Sequence, residues 1–291
     1  MRHAKPIRLH QPHNPPLEPF LKWAGGKRQL LEYILPQIPP HFGAFYEPFL
    51  GAGAVFFALQ PRPARINDAN AELVNCYLAI KSHVRSLITD LRQHQNTSEY
   101  FYRLRELDRA TAYQKLSAVK KASRVIYLNK TCYNGLYRVN SKGHFNVPFG
   151  KYKNPQYADP DHLRAVSQLL NDPAITITNC DFELAVRDAA RGDFVYFDPP
   201  YDPLSVTSSF TDYALTKFGK PEQERLKKVY DDLTRHGCFV MLSNSATDFI
   251  LSLYRDYHII RIPAKRNINS VASRRGAIDE LLIMNYPPIK I

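Results

Sequence analysis

The sequence predicts an α/β protein on a mostly parallel sheet, with a basic helical insertion between the second and third strands. Three observations lead there. Seven short runs rich in Val, Ile, Phe and Tyr lie at residues 44–49, 64–68, 174–179, 194–198, 238–243, 258–262 and 280–285, and helical patterns separate several of them. Strands that alternate with helices imply parallel pairing with both faces covered. The charge is lopsided: residues 79–158 carry 15 Lys and Arg against 4 Asp and Glu, whereas the rest of the chain carries 24 against 23. Finally, two strands run straight into special backbone chemistry, Tyr46-Glu-Pro-Phe-Leu-Gly-Ala-Gly-Ala54 and Phe197-Asp-Pro-Pro-Tyr201. In such sheets ligands sit beyond the carboxyl ends of the strands.

In chain order, residues 1–18 contain Pro6, Pro12, Pro15, Pro16 and three histidines without an apolar core, which predicts a flexible tail and not a signal peptide. Phe20-Leu-Lys-Trp-Ala-Gly-Gly-Lys27 offers an aromatic wall at Trp23, close backbone at Gly25 and Gly26, and a cation at Lys27. The alternative for a lone tryptophan is a place in the core. The strand at 44–49 hands over to Gly51 and Gly53, where no Cβ keeps a ligand from the backbone. The strand at 64–68 ends on Asp68, a carboxylate suited to ribose hydroxyls or, just as well, to the start of the following helix.

Within the insertion, Leu73, Tyr77, Ile80, Val84, Leu87, Ile88 and Leu91 recur at helical spacing, as do Leu116, Val119, Val125 and Leu128. Those stripes are core. Residues 136–139 and 144–147 flank Asn140-Ser-Lys-Gly143, a hairpin signal. Tyr127, Tyr133, Asn134, Tyr137, Phe145, Phe149 and Tyr152 are interleaved with the charges, a mixture that suits nucleic acid better than a membrane surface. Helices follow at 161–170, at 221–236 with Pro221 near the start and Gly237 as the stop, and at 247–254. In the second motif Asp198 offers a carboxylate, Pro199 and Pro200 stiffen the chain, and Tyr201 presents a ring, a set suited to gripping a planar base by its exocyclic amine. Lys265, Arg266, Arg274 and Arg275 could hold phosphates or simply face solvent.

Composition bounds the function. Hydrophobic residues make up 44% of the chain, enough for a folded core. No apolar stretch approaches the ~18 residues of a membrane span. Cys76, Cys132, Cys180 and Cys238 are far apart with no Cys-x-x-Cys, so neither a disulfide framework nor a zinc site is expected, consistent with a reducing cytoplasm.

The motifs at 20–27, 48–53, Asp68, Tyr133-Asn-Gly-Leu-Tyr-Arg138, Phe145-Asn-Val-Pro-Phe-Gly150 and 198–201 occur in one order, and with them the chain resembles a Dam-type, α-group adenine-N6 DNA methyltransferase from about residue 20 to 286. The resemblance implies S-adenosylmethionine as methyl donor, with S-adenosylhomocysteine as product. It implies a seven-stranded, Rossmann-like methyltransferase sheet formed by residues 19–78 and 159–291, and a helical and β-hairpin target-recognition domain at 79–158. Trp23, Lys27, Phe49, Gly51, Gly53 and Asp198 would line the cofactor site, with Asp68 at the ribose and Asp181 and Phe182 at the adenine. Asp198 and the Pro199 carbonyl would hold the target amine, and Tyr201 would stack on the flipped base.

On the DNA side, the resemblance places Lys22 at the first base pair, Tyr133 and Asn134 at the disrupted pair, and Leu136, Arg138 and Pro148 at the remaining bases, with GATC as the expected site. Arg138 can hydrogen-bond guanine O6 and N7 while Leu136 packs on a thymine methyl. The alternative is a phosphate contact for Arg138 and hairpin core for Leu136. Ser141, Lys142 and His144 depart from the arginine and acid expected in that turn, a departure that bears on its phosphate contacts and not on base reading; Lys142 is the expected phosphate contact on the hairpin. Expected partners are duplex DNA and, optionally, a cognate restriction endonuclease, with the enzyme a monomer in the cytoplasm, near the nucleoid, of a prokaryotic or phage-infected cell. No metal is implied. Two rivals stand beside this reading, an RNA adenine methyltransferase and a DNA-binding regulator that has lost catalysis. The hairpin with Arg138 favours duplex DNA over A-form RNA, and the intact Asp198 and Tyr201 disfavour the regulator.

Overall fold

A computed structural model describes residues 7–8, 16–23, 25–203, 218–265 and 277–289. Seven strands form the sheet: β1 (Phe45–Glu47), β2 (Ala64–Asn67), β3 (Ile175–Thr178), β4 (Phe194–Phe197), β5 (Phe239–Ser245), β6 (His258–Lys265) and β7 (Ala277–Met284). Their spatial order is β3-β2-β1-β4-β5-β7-β6. The first five pair in parallel, and β7 runs antiparallel between β5 and β6. All seven sequence-predicted strands are present. The order reverses between β1 and β4, and both motif-bearing loops leave from that pair, so the crevice at the switch point falls between them.

β4 explains why the sheet is covered twice. Phe194 and Tyr196 point into one apolar cluster and Val195 and Phe197 into the other, and all four are fully buried. Such a run carries no polar alternation because neither face meets water. β1 is shorter than the expected 44–49 because Pro48 has no N–H to donate to a neighbouring strand.

Eight helices matter here: α1 (Ala54–Leu59), α2 (Ala71–Leu91), α3 (Ser98–Glu106), α4 (Ala118–Thr131), α5 (Pro160–Leu170), α6 (Phe182–Ala185), α7 (Lys220–Arg235) and α8 (Asp248–Leu253). Their starts are chemically marked. Asn70, Thr97, Ser117, Asp159 and Thr247 each accept a backbone N–H of the first turn through the side chain. α2 passes residue 79 and bends at His83, where the backbone is non-helical. The insertion shares one core with the sheet: Phe101, Tyr127 and Val147 belong to the same buried cluster as Phe45, Ile66 and Phe194.

Inside the insertion, buried Arg124 pairs with Asp108 at 2.7 Å and donates to the Leu104 and Arg105 carbonyls, pinning the end of α3 to α4. The hairpin closes through Asn140, whose backbone N–H donates to the His144 carbonyl and whose Oδ1 accepts the Lys142 and His144 N–H groups. Regular pairing in it is limited to the Val139–Phe145 bridge, with Asn146 donating to the Arg138 carbonyl. The side chains of this turn satisfy groups that a longer ladder would pair.

Of the expected N-terminal tail, Ile7–Arg8 pairs antiparallel with His41–Phe42 and residues 1–6 and 9–15 lie outside the described residues. Arg266, Arg274 and Arg275, with the Lys265 side chain, also lie outside them. Among the described residues no helix is long and apolar enough to cross a membrane.

Candidate active site

The turn after β1 is built on two glycines that a Cβ would obstruct. Gly51 has φ +51° and Gly53 φ +72°. A Cβ on Gly53 would stand 2.9 Å from the Tyr77 hydroxyl, and one on Gly51 would stand 3.1 Å from Trp23 Cδ1. The Gly51 N–H donates to Asp68 Oδ2 at 2.9 Å, and its carbonyl accepts the Tyr77 hydroxyl at 3.0 Å. The turn is thus fastened to β2 and α2 before any ligand arrives.

Across a cleft from this turn stands the end of β4. Trp23, Lys27, Glu47, Gly51, Gly53 and Asp198 all line the same cleft. Lys27 Nζ lies 2.7 Å from Asp198 Oδ1, donates to the Gly25 carbonyl, and sits 4.6 Å from the centre of the Tyr201 ring. Burial pushes the Asp198 carboxyl up to about 6, against the pull of Lys27, and Glu280 adds a smaller push upward. The Tyr201 phenol donates to Glu280 Oε2 at 2.6 Å and is held well above its ordinary pKa by burial and by Asp198.

The loop that carries Asp198 is clamped by buried polar groups. Gln223 on α7 donates to the Pro200 carbonyl, Asn244 on β5 donates to Gln223 and accepts the Asp202 N–H, and Ser245 donates to the Asp202 carbonyl. The Pro199 carbonyl has no hydrogen-bond partner among the described residues.

Glu47 was not singled out in the sequence. Its side chain is buried, its Oε2 has no hydrogen-bond partner among the described residues, and burial together with Asp198 holds its carboxyl well above the usual range. An acid at the end of an otherwise apolar strand, in Tyr46-Glu47-Pro48, was the available signal.

The other expected cofactor residues form a second group, bridged to the first by Asp68. Both Asp68 oxygens accept backbone N–H groups, from Gly51 and Asn70, and burial still raises the carboxyl. The Asp68 carbonyl accepts from Asn179. Asp181 caps α6 through the Glu183 N–H and pairs with Arg225 at 2.7 Å. Phe49 and Phe182 stack on each other with centroids 5.3 Å apart, so no planar ring fits between them as they stand. Arg225 covers Phe182 at 4.3 Å.

The expected DNA-facing residues flank the cleft. Tyr133, Asn134, Arg138, Lys142 and Pro148 are exposed and Leu136 is half-buried. Asn134 takes a left-handed conformation and its N–H donates to the Tyr152 hydroxyl, while the Tyr133 N–H donates to the Pro148 carbonyl. Arg138 donates through Nε to Asn146 Oδ1 at 2.7 Å, and its two terminal nitrogens make no hydrogen bond among the described residues. Lys22 Nζ sits 5.6 Å from the Tyr152 ring centre. Buried Asn129, which sequence reasoning passed over as one residue of a helix, accepts the Lys22 N–H and donates to the Lys22 and Gly135 carbonyls.

A glycine-lined cleft at the switch point, faced by an Asp-Pro-Pro-Tyr loop and flanked by a basic insertion, defines a nucleic-acid base-modifying enzyme of the methyltransferase fold. The chain belongs to the D12 class N6 adenine-specific DNA methyltransferases, whose family model matches residues 23–268. It is 47% identical to the type II methyltransferase M1.LlaDCHI of Lactococcus lactis subsp. cremoris, over 93% of this chain and 96% of that one. It is 42% identical to the type II methyltransferase M.MjaIII of Methanocaldococcus jannaschii, over 93% and 99%, and 31% identical to the DNA adenine methylase of Escherichia coli K12, over 93% and 96%.

Proposed function

We propose that this enzyme transfers the methyl group of S-adenosylmethionine to N6 of an adenine flipped out of duplex DNA, within GATC. The observation that carries the reading is Asp198, a carboxylate paired with Lys27 at the cleft and adjoining the Tyr201 ring. Methyltransferases of this family generally use that donor, and the residues present suit it. The orphaned Glu47 oxygen and the Asp198 carboxylate complement the α-ammonium and the sulfonium, and Lys27 complements the α-carboxylate. Asp68 retains lone pairs for ribose hydroxyls, and Asp181 and Phe182 would take the adenine once the Phe49–Phe182 contact opens. When bound, S-adenosylmethionine supplies an electrophilic methyl whose carbon–sulfur bonding pair returns to sulfur.

The exocyclic amine is a weak nucleophile because its lone pair is delocalised into the ring. Asp198 and the Pro199 carbonyl would accept its two N–H bonds and so favour a tetrahedral nitrogen with the lone pair aimed at the methyl. One N6 proton leaves through Asp198 to water as the N–C bond forms. Tyr201 would stack on the base. Positioning and fixed charges supply the rate in such a direct displacement.

Residues 79–158 serve target recognition in this reading, with Lys22, Tyr133 and Asn134 at the flipping pair and Leu136, Arg138 and Pro148 at the flanking bases. The unengaged terminal nitrogens of Arg138 support guanine recognition, and Lys142 would meet phosphate. The type II names of two relatives support a restriction–modification setting with a cognate endonuclease. The test is incubation with labelled S-adenosylmethionine and methylation-free DNA, followed by mapping of modified adenines. Label at adenines of GATC is expected. Label at another adenine context would keep the chemistry and overturn the site.

A further inference from the structure

Glu280 lies on β7, the antiparallel strand, directly opposite Ser245 of β5. Its Oε2 accepts the Tyr201 phenol at 2.6 Å, a short charge-assisted hydrogen bond. The same ring is faced by Lys27 at 4.6 Å, and Lys27 in turn pairs with Asp198. The backbone on the far side of Tyr201 is fixed independently, because Asn244 holds the Asp202 N–H and Ser245 the Asp202 carbonyl. The chain path through the motif is therefore set without Glu280. What remains is the rotation of the Tyr201 ring, and among the described residues Glu280 is the hydrogen-bond partner of its phenol.

We propose that Glu280 is a positioning residue for methyl transfer, fixing the Tyr201 ring as the platform on which the target base is held at Asp198. This rests on the reading of Tyr201 as that platform. Glu280 does not line the cleft, so its loss should act on the reacting geometry and leave cofactor binding alone. A ring that wobbles about its Cα–Cβ bond presents the amine to the methyl in the productive orientation for only part of the time.

The experiment is a double-mutant cycle read by single-turnover methyl transfer to a duplex, with calorimetry of S-adenosylhomocysteine binding on each variant. Glu280→Ala is expected to lower the rate at saturating DNA and cofactor about ten- to hundredfold, the worth of one hydrogen bond to a charged group. Half-saturating DNA and S-adenosylhomocysteine affinity should stay within about twofold of wild type, the range expected of independent sites. Glu280→Gln, whose amide oxygen still accepts the phenol, should recover most of the lost rate. In a Tyr201→Phe background Glu280→Ala should cost little more, because the bond is already gone. Additive losses, or a fall in cofactor affinity with unchanged rate, overturn the assignment. Wild-type enzyme that methylates no adenine overturns the proposed function itself, an outcome distinct from additivity in an active enzyme.

Discussion

Replacing Lys27 with methionine removes the cation 2.7 Å from Asp198 while keeping most of the stem that fills the cleft. Burial lifts the Asp198 carboxyl to about 6 even with Lys27 pulling it down. An opposite charge at this range lowers a carboxyl by about 1–3 units, so without Lys27 it should rise to between about 7 and 9. Each unit is about 1.36 kcal/mol of preference for the protonated form. In the proposed mechanism the amine needs the carboxylate as acceptor, so the wild-type rate should be present above about 6 and lost as pH falls through that value. In the variant the same loss should begin at the higher value. At neutral pH the unliganded values leave wild-type Asp198 about nine-tenths ionised and that of the variant between about half and one per cent, which bounds the rate loss from above at about twofold to ninetyfold. The assay is single-turnover transfer at saturating cofactor from about pH 5.5 to 9.5, since saturation separates binding from chemistry. The positive charge of the bound donor lowers both limbs alike, and the displacement between them is the readout. If the variant loses plateau rate with its acid limb unmoved, Lys27 serves the cofactor alone and the ion pair does not set the state of Asp198.

Asp68→Ala should weaken S-adenosylhomocysteine binding by ~1.5–3 kcal/mol, the worth of hydrogen bonds to a charged group; an unchanged calorimetric Kd would remove it from the cofactor site. Glu47 is pushed well above its usual range in the free protein, so an ammonium arriving beside it should drive it to ionise. Binding of S-adenosylhomocysteine should then release up to about one proton, with the release abolished in Glu47→Gln, measured by calorimetry in buffers of different ionisation enthalpy. Arg138→Ala should flatten discrimination at one guanine-bearing pair by ~1–3 kcal/mol, while Lys142→Ala should weaken binding on every sequence alike and shallow the salt dependence by about one counterion. Equal losses for Arg138→Ala across a series of substituted sites would make it a phosphate clamp.

The sheet was legible because burial on both faces leaves a plain trace, as in Phe194-Val-Tyr-Phe197, and one covering helix because Pro221 and Gly237 bracket it. The insertion was legible from its charge. The antiparallel edge was not, since no local pattern in β6 or β7 records the direction of its pairing. Trp23, Lys27, Gly51, Gly53 and Asp198, distant in sequence, line one cleft. Glu280 escaped because the register that sets it beside Tyr201 is a property of the sheet and not of its own neighbours. The stacking of Phe49 on Phe182 escaped for a similar reason: two rings far apart in sequence have collapsed onto each other, and that contact belongs to tertiary packing alone.

Residues 20–27 carry more than their place ahead of the sheet suggests. Lys22 is held through its backbone by Asn129, which also holds the Gly135 carbonyl beside Tyr133 and Asn134. Trp23 stacks on Tyr137 of the hairpin at 4.7 Å and lies against Gly51 of the glycine turn. Lys27 reaches Asp198 and the Tyr201 ring. One short segment therefore touches the Tyr133–Gly135 turn, the glycine turn and the Asp-Pro-Pro-Tyr loop, through hydrogen bonds to buried Asn129, a ring stack and a buried ion pair. In a close-packed interior such contacts do not stretch gradually, so a shift at one end is felt at the other two. That packing gives a physical reason for these residues to form one motif: the segment must fit three surfaces at once, and a change that suits one of them disturbs the others.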